Sequence, residues 1–319
     1  MKITEHLQNS NKTLFSFEIL PPLKGKRIDD IFEGIDPLME FNPPFINVTY
    51  HREEYVYKKF QNDLLKKISI RKRPGTVGIC AAIMNKYEID AVPHLICGGF
   101  SVEETENALI DLQFLGIDNV LALRGDAIPG ESTFYPEENG HRFAVDLITQ
   151  ISNMNKGKLL YEESQPSAKG IFCIGAAGYP EKHYESMSMK TDLSYLKQKV
   201  DAGADYITTQ MFFDNKKYFD FVDRCRAIGI NVPIIPGIKP ITKLRHIAFL
   251  PKTFYVDFPD ELADELVSCK TDAQVNMVGI KWAIQQSQEL IEANAPCIHF
   301  YTMGKSESVK AIATEVFGK

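Results

Sequence analysis

Leu14-Phe15-Ser16-Phe17-Glu18, closed by Pro21-Pro22, and its counterpart Val120-Leu121-Ala122-Leu123-Arg124-Gly125-Asp126 decide how this chain folds. In each run bulky apolar residues occupy one face (Phe15 and Phe17; Leu121 and Leu123). Small or polar residues occupy the other, and the run finishes on an acid. Such a strand packs its apolar face on helices and delivers an ionisable group at its C-terminal end, which in a (β/α)8 barrel is the active-site face.

Working outward, apolar β-branched runs alternate with longer amphipathic segments, the pattern of an α/β protein. Strands are expected near 13–19, 45–49, 91–96, 119–124, 171–176, 206–210, 233–237 and 297–301. Helices are expected near 28–40, 53–70 with 76–87, 101–115, 142–152, 191–203, 215–229, 242–248, 272–294 and 305–317. Ser101-Val102-Glu103-Glu104 reads as a capping box, and Gly116 and Gly203 fall where helices should end. The Asn153–Lys169 stretch is polar and reads as a surface insertion, and the basic run Lys66–Arg73 reads as the end of a helix. The expected fold is a (β/α)8 TIM barrel forming a single domain over residues 1–319, with no regulatory domain; an open parallel sheet is the alternative.

Composition narrows the function. A chain of 319 residues, 44% hydrophobic, can bury a large core. The net charge of −6, without a basic stripe, argues against nucleic acid, and apolar runs such as Ile79–Met84 are too short to span a bilayer. The N-terminus lacks an apolar leader, and six scattered cysteines without a C-x-x-C pair read as reduced core thiols, so a cytoplasmic protein is expected. The histidines lack metal-ligand spacing, so no metal is expected. No nucleophile elbow appears, and neither Gly98-Gly99 nor Gly175-Ala176-Ala177-Gly178 matches a phosphate-binding loop.

Inward parity along the strands collects Ser16, Glu18, Asn47, Thr49, His94, Arg124, Asp126, Thr208, Gln210, His299 and Tyr301. So many polar groups at one rim are costly unless they bind something. Glu18, among Phe15, Phe17, Ile19 and Leu20, is the candidate general acid, its pKa raised by apolar surroundings. The plainer reading pairs it with a lysine or arginine. For Asp126, after Gly125, the plainer reading is a helix N-cap, and for Lys199 an exposed helix cation. Arg124-Gly125-Asp126 as an adhesion motif does not suit a strand end.

Taken in order, Phe17-Glu18 with Pro21-Pro22, Asn47-Val48-Thr49-Tyr50, Pro93-His94-Leu95, Ala122-Leu123-Arg124-Gly125-Asp126, Tyr179-Pro180-Glu181-Lys182-His183, Lys199-Val200-Asp201-Ala202-Gly203-Ala204-Asp205, Thr209-Gln210-Met211-Phe212-Phe213, Pro236-Gly237-Ile238 and His299-Phe300-Tyr301-Thr302 closely resemble the 5,10-methylenetetrahydrofolate reductase family in its short bacterial form. The resemblance runs from residue 13 to about 303. It implies an FAD barrel with ping-pong chemistry, in which NADH or NADPH reduces the flavin and leaves before methylenetetrahydrofolate is reduced to 5-methyltetrahydrofolate for methionine synthesis. It implies Glu18 as proton donor and Asp126 as the carboxylate that stabilises the cationic iminium and tunes the flavin. Thr49, Tyr50, His94, Arg124, Gly125, Asp126, Ala144, Tyr179, His183, Asp192 and Lys199 carry over as flavin contacts, and Gln210, Tyr301, Lys305, Thr49 and His246 as substrate contacts. Small-molecule substrates and a homo-oligomer are the expected partners.

The chain departs from the family pattern at His51-Arg52-Glu53-Glu54, where a Gly-rich stretch is common. Tyr195 and Gln198 stand at often basic positions, His246 and Leu250 replace a glutamine and a phenylalanine, and Lys305 follows where an arginine is common. The competing readings are a flavin-free pterin-binding methyltransferase barrel, a non-catalytic folate-binding protein and a proline-dehydrogenase-like flavin barrel.

Overall fold

The computed structural model describes residues 1–60, 64–128, 131, 133–162 and 170–318. Parallel strands β1 (Leu14–Ile19), β2 (Phe45–Val48), β5 (Asp90–Ile96), β6 (Asn119–Leu123), β7 (Cys173–Gly178), β8 (Tyr206–Met211), β9 (Ile234–Ile238) and β10 (Cys297–Tyr301) close into one barrel in the order β1-β10-β9-β8-β7-β6-β5-β2. The ring is sealed where Phe17, Glu18 and Ile19 pair with Ile46, Asn47 and Val48. Helices α3 (Thr76–Tyr87), α4 (Val102–Phe114), α5 (Ala144–Asn155), α6 (Met189–Asp201), α7 (Asn215–Ala227), α8 (Leu244–Phe254), α9 (Asp260–Val267), α10 (Asp272–Glu292) and α11 (Glu307–Phe317) follow the strands. The expected barrel is therefore observed. The expected 28–40 helix divides into α2 (Asp29–Ile35) and a 3-10 turn (Asp36–Phe41). The Ser101 capping box forms, and Gly116 and Gly203 adopt the positive φ that ends a helix.

Each strand presents one parity outward and one inward. Phe15, Phe17, Ile46, Val120, Ala122, Ile174, Ile207 and Phe300 join the large cluster under the helices. Phe45, Val92, Leu121, Cys173, Tyr206, Ile235 and Cys297 form a separate cluster inside the barrel. Ile3, on the short helix α1 (Ile3–Asn9), plugs this inner cluster from below, held by its N–H donating to Asn119 Oδ1 at 2.8 Å. The lumen thus has an apolar floor, and polar residues are left for the C-terminal mouth.

Three expectations change. The segment 53–70 is not a helix but an antiparallel hairpin, β3 (Glu54–Lys59) and β4 (Leu65–Ile70), with Val56 opposite Ile68. Tyr55, Val56 and Tyr57 pair with Ser69, Ile68 and Lys67, aromatic and β-branched residues that favour a strand, and Lys67 lies 3.6 Å from the Tyr55 ring, so Lys66 and Lys67 of the basic run decorate a strand instead of ending a helix. The face assignment of β6 also reverses: Leu121 faces the lumen, and Arg124 and Asp126 sit in the loop after Leu123, placed by the loop and not by strand parity. α5 runs through Asn155, so the surface insertion starts later than Asn153, and its residues 163–169 lie outside the described ones.

Gly175 lets the inner floor close. A Cβ there would lie 2.3 Å from Tyr206 Cζ, inside the buried ring. Gly175→Ala is expected to lower unfolding stability by about 1–3 kcal/mol through overpacking, measured by urea denaturation.

Candidate active site

Glu18 reaches the mouth of the lumen from β1 with its side chain 14% exposed, and burial pushes its carboxyl up to about 7. Thr49, just after β2, donates its hydroxyl to the Ile19 carbonyl at 3.1 Å, and its hydrogen bond with the carboxyl offsets part of that rise without reversing it. His94 Nε2 lies 3.4 Å from Glu18 Oε2 and 3.3 Å from Asn47 Nδ2. With the Asn47 amide donating there, the imidazole presents a lone pair. Burial, with the positive side of His299 and His51 nearby, drives His94 down to about 3, so it is neutral. His299 is pushed down to about 3 by burial alone and meets Ser16 Oγ through Nδ1 at 2.9 Å. The mouth of the barrel therefore holds a protonated carboxylic acid among uncharged acceptors. The alternative pairing of Glu18 with a lysine or arginine does not occur among the described residues.

The next strands gather the charges. Arg124 pairs with Glu185, lies 5.4 Å from the Phe134 ring, and is followed by Gly125 at φ +84, a conformation that a side chain would strain. Asp126 is exposed beyond it; its charge acts on Tyr179 and His51, and no helix starts there, so the N-cap reading fails. Tyr179, just past β7, meets the His183 ring edge-on at 4.8 Å. Lys182 takes φ +76 to turn this loop, a strain typical of functional loops, and donates to the carbonyls of His183 and Ser186. Asp192, in the first turn of α6, accepts from Ser186 Oγ at 2.7 Å and from the His183 N–H at 3.2 Å, so it anchors the loop. Lys199 is no exposed cation: burial lowers it to about 8, Asp192 opposes that, and its ammonium donates to the Ala177 carbonyl at 3.0 Å. Burial and the Arg124 charge lower His183.

Tyr301 closes the ring between these groups. Its hydroxyl donates to the Thr209 carbonyl at 2.6 Å, and Glu18 and Tyr179 both act on it electrostatically. Gly237 makes room for this contact, since a Cβ there would lie 2.6 Å from Tyr301 Cε2. Gln210 on β8 accepts from the Met211 N–H at 2.9 Å through its Oε1, leaving its amide donor free for a ligand. The remaining sequence candidates are more scattered. Tyr50 is half-buried against Phe100 at 5.2 Å, and Ala144 is buried at the first residue of α5, whose Asp146 acts with Arg124 on the Cys97 thiol. Lys305 is exposed, whereas His246 on α8 is 9% exposed.

Sequence reasoning missed the loop acid Glu185, the buried Lys239 after β9, and Arg52. Arg52 Nη1 is buried without a hydrogen-bond partner, and a Cβ at Gly98 would sit 2.7 Å from it. Gly98-Gly99 in the sequence was the available signal, a place of close approach without a phosphate motif. Among the described residues no three His, Cys, Asp or Glu side chains are arranged to hold a metal, and no helix is long and apolar enough to cross a membrane.

A parallel barrel with a neutral acid at the C-terminal mouth of its lumen and paired cations beside it has the furnishing of a (β/α)8 enzyme. The chain belongs to the methylenetetrahydrofolate reductase family, whose model matches residues 2–316. It is 31% identical over 325 residues to methylenetetrahydrofolate reductase (NADH) 1 of Arabidopsis thaliana, covering 98% of this chain and 50% of that one. It is 32% identical over 298 residues to 5,10-methylenetetrahydrofolate reductase of Escherichia coli strain K12, covering 93% of this chain and 88% of the relative. The chain thus spans about half the length of the plant relative and most of the bacterial one. Among solved structures, a Clostridium thermocellum protein that binds two copies of 5-methyl-5,6,7,8-tetrahydrofolic acid shares the fold, with a TM-score of 0.56, 14% identity and 98% of both chains covered.

The raised Glu18 pKa sets a sign for stability. The folded acid holds its proton to about pH 7 and the unfolded one only to about 4.5, so folding loses stability as pH rises through that window. Glu18→Gln is therefore expected to match wild type near pH 4.5 and to exceed it by up to about 3 kcal/mol above pH 8, measured by urea denaturation across pH.

Proposed function

We propose that this chain reduces 5,10-methylenetetrahydrofolate to 5-methyltetrahydrofolate with NADH or NADPH, using FAD as its resident cofactor. The observation that carries this reading is Glu18, a carboxylic acid held near pKa 7 at the barrel mouth. Opening the five-membered ring of the substrate breaks a carbon–nitrogen bond and needs a proton on the departing nitrogen. A neutral acid in an apolar setting supplies it at neutral pH. The carbon is left as an iminium cation, and the Asp126 carboxylate in the adjacent loop stabilises that charge. The free amide donor of Gln210 suits the mixed donor and acceptor edge of a pterin.

The residues fit an anionic dinucleotide. Arg124, His183 and Lys199 line the ends of β6 and β7, and the buried Arg52 nitrogen lacks an acceptor that a diphosphate would provide. Bound flavin supplies the two-electron chemistry that couples nicotinamide to folate. Glu185 and Asp192 keep the cationic side chains and their loop in place before any ligand arrives. Buried free thiols and a nicotinamide donor fit a cytoplasmic enzyme that supplies methyl groups for methionine synthesis.

The test separates the half-reactions. Purified protein incubated with FAD is expected to show a flavin absorption spectrum that NADH bleaches anaerobically and methylenetetrahydrofolate restores. Glu18→Gln is expected to keep bleaching at near wild-type rate and to lose at least about a hundredfold in the folate step. Full activity in that variant removes Glu18 as the proton donor. A protein that takes up no flavin favours the methyltransferase or folate-binding readings. Asp126→Asn is expected to slow the folate step and raise the flavin potential, followed by redox titration.

A further inference from the structure

Strand β9 carries an unused cation. Its alternation places Ile235 in the apolar floor and Gly237 against Tyr301 and Thr209. Lys239 is the next residue of that alternation, just past the strand, and it is only 7% exposed. Its ammonium donates to the Pro240 carbonyl at 3.2 Å and makes no other described hydrogen bond or ion pair. An ammonium has three N–H donors, so most of this one's capacity is unspent in a place where water is scarce. Burial alone lowers it to about 8, and no acid opposes that.

His246 lies within electrostatic reach in the first turn of α8. The Thr242 N–H donates to its Nδ1 at 3.2 Å, which puts the imidazole proton on Nε2. Burial and the charges of Lys239, Arg245 and Lys243 drive it down to about 4 against Asp272, so it stays a neutral donor. Asp272 is engaged by the Leu244 N–H at 2.8 Å. Two donor side chains, both more than nine-tenths buried, therefore stand at the β9–α8 edge with one described acceptor between them, the Pro240 carbonyl. A buried cation without a counterion is destabilising, and an anionic ligand would compensate it.

We propose that Lys239 and His246 form an oxyanion subsite that anchors a carboxylate of the folate's glutamyl tail or a phosphate of the dinucleotide reductant. The identity of the ligand rests on the reductase reading; the oxyanion chemistry rests on the side chains alone. In the strand order β8 lies between this subsite's strand and β7, and β10 and β1 lie on its other side.

Lys239→Met keeps the volume and removes the charge, and Lys239→Arg keeps the charge. Dissociation constants are measured for 5-methyltetrahydrofolate as mono- and triglutamate, and for NADH and NADPH, with flavin content and melting temperature followed in parallel. Lys239→Met is expected to weaken one ligand class by about tenfold or more, with Lys239→Arg restoring most of it. His246→Phe is expected to weaken the same class less. A loss confined to folates assigns the carboxylate, and one confined to nucleotides assigns the phosphate. The methionine variant is expected to melt no lower than wild type, since it removes a buried charge. Constants within about twofold of wild type for both classes overturn the proposal, as does an equal loss for every ligand with a lowered melting temperature. A wild-type protein that binds these ligands without reducing folate would sink the reductase reading and leave the subsite test intact.

Discussion

Closing eight parallel strands creates a lumen that side chains must fill, and the way this chain fills it governs the rest of the structure. The lower lumen is apolar, from Phe45 to Cys297, and Ile3 stops it from below. The upper lumen is polar but largely uncharged, with Ser16, Asn47, His94 and His299 all buried. A charge entering that space would lose its hydration without finding a counterion, so each titratable group settles in its neutral form. Glu18 keeps its proton and both histidines lose theirs. A carboxyl that holds its proton up to about pH 7 thus arises from how the barrel is packed, with no dedicated partner forcing it.

Charge is displaced to the rim, where it is sorted by strand. At the ends of β6 and β7, Arg124 and Lys199 are cross-braced by Glu185, Asp192 and the Ala177 carbonyl. That arrangement is pre-formed, because each cation already holds an acceptor and little side-chain entropy remains to be lost on binding. At β9 the arrangement is the opposite: Lys239 has only the carbonyl of its neighbour. On one side of the mouth the cations already hold acceptors, and on the other a buried cation has almost none.

The sequence was legible where local chemistry and global fold agreed. Leu14–Glu18 read correctly because Phe15 and Phe17 are β-formers on one parity and Ser16 and Glu18 are polar on the other, and both parities met the expected surroundings. β6 misled because all of Val120-Leu121-Ala122-Leu123 is apolar, and a strand buried on both faces carries no alternation to orient it. Arg124 and Asp126 fall in the loop after Leu123, so their placement at the strand's C-terminal end does not depend on its parity. The hairpin at 54–70 was lost to its lysines, whose spacing imitates a helix face while Tyr55, Val56, Tyr57 and Ile68 favour the strand. Roles set by tertiary contact were the least legible. Nothing local distinguishes Asp192 as a loop anchor, or separates the exposed Lys305 from the buried Lys239.

That last pair shows how differently one charge stands in two places of the fold. Lys305 stands where an arginine is common, but it is exposed on the loop after β10, so solvent and salt screen its charge and its single ammonium lacks a planar fork. Lys239 carries the same charge on the neighbouring strand of the barrel, dehydrated and held by the close packing of Gly237 on Tyr301 beneath it. Coulomb attraction strengthens as the local dielectric falls, so the buried lysine outweighs the exposed one for any anion that reaches both. A buried cation after β9 and the protonated acid on β1 thus belong to strands that flank the same neighbour, β10, in one barrel.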